Sequence, residues 1–222
     1  MKTLLLDIIT CSWNDDVPPS DISKQLDGMS AIEASRRLKQ LCRNGQPDEI
    51  CAITYRMIDC ANTLTANMDN SPTIIHIKTR HAELSDETIE KLDCTREEYE
   101  DYAVSLPQAS VWLKEQFSDI DQNPVFSSWG HYPINRLKQE FTRSRSKAVF
   151  GSRIMNIKLI MSFMTVDLGK ELSLKEAVDI VWHDMEINKT RKRTAIDDIN
   201  AMSEIAWWCL RRRWHGYEYE YD

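Results

Sequence analysis

The residues best suited to chemistry by type and spacing are cationic. The run NKTRKR (188–193) sets Lys189, Arg191, Lys192 and Arg193 side by side just before a long amphipathic segment. A second group, Arg136, Lys138, Arg143, Arg145 and Lys147, follows Trp129. Guanidinium and ammonium groups at this density suit the phosphates of a single nucleic-acid strand. The first run fits a solvated loop equally well.

The six cysteines (Cys11, Cys42, Cys51, Cys60, Cys94, Cys209) are scattered. They form no C-x-x-C pair and have no histidine at zinc spacing, so they read as reduced, mostly buried thiols of a cytoplasmic protein. His76 lies within an apolar run and reads as a satisfied core residue, while His81 has a loop setting. Of the adjacent Trp207 and Trp208, one must leave the main apolar stripe, and exposure there would mark an interface.

The net charge is -7 and unevenly spread. Residues 1–111 hold 11 Lys and Arg against 19 Asp and Glu, a balance of -8, and residues 112–222 hold 17 against 16, a balance of +1. A polyanion would therefore be met only by local basic patches in the second half. No apolar run approaches the roughly 20 residues of a membrane helix. Met1–Thr10 reads as a first strand rather than a signal peptide, because Asp7 interrupts it.

The elements that position these groups follow from patterning. KTLLLDII (2–9) has the continuous apolar character of a strand buried on both faces. Residues 11–46 read as an insertion, with loop composition to Met29 and then a helix, AIEASRRLKQLC, capped by Ser30 with Glu33 at N3. Strands are expected over 49–60, 73–79 and 124–129, with helices over 85–92, 95–103, 107–117, 133–143, 173–184 and 195–210. Residues 153–159 read as a strand or a strand-to-helix junction. On the last helix Ile196, Ile199, Met202, Ile205, Ala206, Cys209 and Leu210 share one stripe. The order β-β-β-α-β-α-α predicts one α/β domain over 1–215, with an acidic, aromatic tail at 216–222.

Taken in order, LLLDIIT (4–10), EICAI (49–53), IKTRHAELSD (77–86), LDCTREEYEDY (92–102), FSSWGHYPINRL (126–137) and RTAIDDINAMSEIAW (193–207) resemble the segments of DEDDh-type 3′–5′ exonucleases. The resemblance implies a ribonuclease H-like α/β fold, a mixed sheet flanked by helices. It also implies a site where four acidic residues hold two divalent ions and a histidine serves as base.

Position by position, the resemblance places the first-strand aspartate at Asp7 and the final one at Asp198, with Asp197 beside it. The expected glutamate falls at Ile9, the aspartate after W-G-x-x at Pro133, and the histidine at Arg193. His131 stands near as a ligand for a softer ion such as Mn²⁺ or as a displaced base, and Asp15 and Asp16 are further acids in the first loop. Two carboxylates suffice for one weakly held Mg²⁺ or Mn²⁺, and a guanidinium is no base near neutral pH. The resemblance therefore implies a degenerate member that binds single-stranded RNA or DNA, or a protein partner, through the former site. The alternative is an active metal-dependent exonuclease with an altered ligand set.

Overall fold

The computed structural model describes residues 2–12, 30, 48–59, 71–79, 84–118, 125–146, 153–165, 172–187 and 194–215. Strands β1 (Lys2–Ser12), β2 (Asp48–Asp59) and β3 (Thr73–His76) form an antiparallel meander. Three helices follow, α1 (Asp86–Leu92), α2 (Arg96–Tyr102) and α3 (Leu106–Ser118), and then β4 (Val125–Ser128) and α4 (Tyr132–Arg143). Strand β5 (Ile154–Asn156) runs straight into α5 (Ile157–Met164), before α6 (Leu174–Asp184) and α7 (Ala195–His215). The sheet order is β3-β2-β1-β4-β5, with β4 parallel to β1 and β5 parallel to β4.

The structure settles one reading left open by the sequence and moves one boundary. Residues 153–159 are both a fifth strand and the start of a helix, with Asn156 Oδ1 accepting from the Leu159 N–H at 3.1 Å across the junction. The expected order omitted that strand. In addition β1 continues through Ser12, so residues 11 and 12 belong to the sheet and not to an insertion. Apart from Ser30, which is exposed, the rest of that insertion, including the helix expected after it, and the 216–222 tail lie outside the described residues.

Central position explains the composition of β1. Leu4, Leu5 and Leu6 have no exposed surface, because helices cover both faces of the strand. Each such burial contributes about 1.5–3 kcal/mol. Leu4, Leu6 and Ile8 join a core with Ala109 and Leu113 of α3 and with Ile134, Leu137 and Phe141 of α4. On the other face Leu5 joins Ile199, Met202 and Ile205 of α7, while Ile9 and Cys11 join Ala195. The alternation along β1 thus assigns even residues to α3 and α4, and odd residues to α7.

Local chemistry sets the helix ends. Thr95 starts α2 and Ser173 starts α6 through reciprocal capping boxes with Glu98 and Glu176. Helix α6 is then fastened to α7 by two indole donors: Trp182 Nε1 to Glu204 Oε2, and Trp208 Nε1 to Asp184 Oδ2 at 2.7 Å. Of the tryptophan pair, Trp208 is buried and Trp207 half-buried, so neither offers the exposed ring considered above. The predicted stripe on α7 holds in its middle, but Ile196 and Leu210 are only half-buried, and Ala195, Asp198 and Trp208 lie inside.

Candidate functional site

Asp7 is half-buried on the α7 side of β1, flanked on that face by Leu5 and Ile9. Its neighbour across the ladder is Thr54 of β2, which is fully buried. Asp198 is 9% exposed and sits on α7 between Ala195 and Met202, at the spacing of the helix face that packs on β1 and β2. One turn earlier Thr194 caps the helix, its Oγ1 accepting from the Asp197 N–H at 3.2 Å and donating to Asp197 Oδ2 at 2.8 Å. Asp197 is thereby committed to the cap. The β1–α7 interface therefore brings together the elements carrying Asp7 and Asp198.

Among the described residues it does not rebuild a ligand set around them. Ile9 is 2% exposed and embedded with Leu84, Leu92, Tyr99, Cys11, Cys51 and Ala195. Pro133 is buried in the first turn of α4. His131 is exposed at the N-terminus of α4 and makes no side-chain capping bond. Paired magnesium ions need several shared oxygens. Among the described residues no three His, Cys, Asp or Glu side chains cluster closely enough to hold a metal ion. Among the described residues, the two positions that the resemblance assigns to further ligands, Ile9 and Pro133, hold buried side chains without a donor atom and do not fit a two-ion centre.

The basic residues divide. Lys189, Arg191, Lys192 and Arg193 lie outside the described residues, immediately before the cap of α7. Arg136 and Arg143 both converge on Glu140, at 3.2 Å and 2.8 Å. They ride on α4, whose core residues pack on the even face of β1, opposite to Asp7. The fold thus separates Arg136 and Arg143 from the carboxylates, while Lys147 lies outside the described residues.

Sequence reasoning passed over a buried charge on the same face. Arg56 of β2 is 8% exposed, and its Nη1 donates to Asn200 Oδ1 of α7 at 2.7 Å. Burial lowers the guanidinium's pKa, and the nearby Glu204 carboxylate opposes that shift. The signal was present in the alternation of Thr54 and Arg56 with apolar residues along β2. His76 also departs from expectation. Its ring lies 5.7 Å from that of Tyr99, and its Nε2 is shielded from solvent with no hydrogen-bond partner among the described residues. Burial holds its pKa below the ordinary histidine value, partly offset by Glu98.

No protein-family model matches the sequence, and no curated protein does. Solved structures do. The nuclease domain of 3′hExo, a DEDDh family member bound to rAMP, is 14% identical with a TM-score of 0.61, over 97% of this chain and 92% of that one. A 3′-exonuclease in 3′-end-specific recognition of a histone mRNA stem-loop is 14% identical with a TM-score of 0.62, over 97% and 82%. The Mg²⁺- and Mn²⁺-bound form of S. pombe Pop2p is 13% identical with a TM-score of 0.57, over 98% and 86%. With its five-stranded mixed sheet and flanking helices, this chain has the ribonuclease H-like fold of the DEDDh-type 3′-exonuclease domains.

Proposed function

We propose that this chain is a catalytically degenerate exonuclease-fold protein that binds single-stranded nucleic acid where β1 meets α7, without two-ion turnover. The observation that carries the reading is the packing of Ile9. The strand position two residues after Asp7 is part of an apolar core rather than an oxygen donor facing an ion. Pro133 repeats the pattern on α4. The run at Lys189, Arg191, Lys192 and Arg193 supplies cations just ahead of the helix bearing Asp198. Recognition of an RNA 3′ end by a protein of the same fold supports the choice of ligand.

The test is incubation with end-labelled single-stranded RNA and DNA in Mg²⁺ and in Mn²⁺, followed by a salt titration of binding. The expected result is no shortening, with affinity that falls with salt at a log–log slope of roughly -3 for four phosphate contacts. Replacing all four cations of 189–193 by alanine flattens that slope. Shortening that disappears in an Asp7→Ala, Asp198→Ala variant overturns the reading. The second reading, a metal-dependent exonuclease with altered ligands, draws on the retention of those two carboxylates on packed elements. Absence of binding at low salt would leave a protein partner as the occupant.

A further inference from the structure

Strands β1 and β2 pair regularly until a single irregularity, where Ile9 faces Ala52 but Thr10 faces Ile50. Cys51 is the residue left over, a bulge position without a ladder partner. Cys11 faces Glu49, so Cys51 is its diagonal neighbour on the same face. In a regular ladder diagonal Cα atoms lie about 7–8 Å apart, beyond the usual span of a disulfide. The bulge takes Cys51 off that lattice, and its thiol lies beside that of Cys11 in one buried cluster. Each also donates to a carbonyl of the opposite strand at 3.4 Å, Cys11 to Glu49 and Cys51 to Ile9. Both side chains are fully buried in the cluster that contains Ile9 and Ala195.

We propose that Cys11 and Cys51 are a reversible redox pair, closing to a cross-strand disulfide when the folded protein meets a peroxide. Cys11, one residue from the end of β1, is the attacking sulfur. The neighbouring thiol of Cys51 draws its pKa below the ordinary thiol value, against burial and Glu49, whereas Cys51 is held above it. The Cys11 thiolate attacks one peroxide oxygen, the O–O bond breaks, and the departing hydroxide takes up a proton to leave as water. The Cys11 sulfenic acid that results is attacked by Cys51; the S–S bond forms, the S–O bond breaks, and a second water leaves. Two thiols are oxidised by two electrons, and one peroxide is reduced to two waters. Hydrogen peroxide is small, and only Ser12 follows Cys11 in β1. The closed form ties residues 12–50 into a loop, which restricts the unfolded chain.

The experiment treats the folded protein with hydrogen peroxide, blocks remaining thiols with iodoacetamide, and maps peptides without reduction. The expected product is one cross-linked pair joining Cys11 to Cys51, lighter by two hydrogens and reopened by dithiothreitol, with a raised melting temperature for the oxidised protein. Cys209, buried in the separate core beneath α7, stays reduced. In a Cys51→Ala variant, Cys11 proceeds to sulfinic acid instead of bridging. The proposal fails if both cysteines remain alkylatable after unfolding of the peroxide-treated protein, or if either one bridges to a different cysteine. The mapping of the unaltered chain decides the matter even if the variant does not fold.

Discussion

Replacing Ile9 by glutamate returns a carboxylate to the strand position two residues after Asp7, and its cost measures what that position has become. Ile9 is 2% exposed among apolar neighbours, so the substitution forfeits about 1.5–3 kcal/mol of burial. A carboxyl group there folds only in its neutral form. At pH 7, protonating a glutamate of ordinary pKa near 4.3 costs a further ~3.7 kcal/mol. The sum, about 5–7 kcal/mol, rivals the whole stability of a typical domain. The sign of the pH dependence follows from the raised pKa in the folded state. The penalty is absent below the unfolded pKa and grows as pH rises toward the folded one. Moving from pH 7 to pH 5 therefore restores about 2.7 kcal/mol. Urea unfolding followed by tryptophan fluorescence at the two pH values reads both quantities, and Ile9→Gln, which cannot ionise, shows the burial loss without the slope. An Ile9→Glu protein as stable as its parent at pH 7, or one stabilised by added Mg²⁺, would mean that the side chain lines an ion site and that the core argument is wrong.

Arg56→Met leaves the Asn200 carbonyl oxygen without its 2.7 Å donor and costs about 1–3 kcal/mol by urea denaturation. A double-mutant cycle with Asn200→Ala shows coupling if the two side chains act together. Trp208→Phe keeps an aromatic ring but removes the pyrrole with its donor to Asp184, costing about 1.5–3 kcal/mol for the bond in addition to the lost packing; amide exchange should then quicken in α6 before it quickens in β1. His76, held below its ordinary pKa by burial, makes stability decline as pH falls from about 6.5 toward its folded value, because the unfolded chain takes up the proton first. Urea titrations between pH 7.5 and 5 should lose that slope in His76→Phe.

Much of the scaffold was legible because its signals are local. The apolar run of β1 on either side of Asp7, the helical patterning of 85–92, 95–103 and 173–184, and the 3.6-residue stripe of α7 each depend on neighbours in sequence. Asp7 and Asp198 were singled out in the same way, each lying within a segment that resembles one of the family's. The short β5 was legible only as a strand or a strand-to-helix junction, since three residues carry too little pattern to separate a strand from the helix it enters.

The sequence alone determined which residue types stand at each position: Ile9 and Pro133 have no donor atoms, whatever the fold does with them. Only the tertiary structure decided that Ile9 is walled in by Leu84, Leu92, Tyr99 and Ala195, that Arg136 and Arg143 turn to Glu140 on the far face of the sheet, and that Cys11 meets Cys51 at a bulge. The physical reason is distance along the chain. Burial, ion pairing and thiol proximity depend on which distant segments close over a residue, and no window of sequence contains both partners.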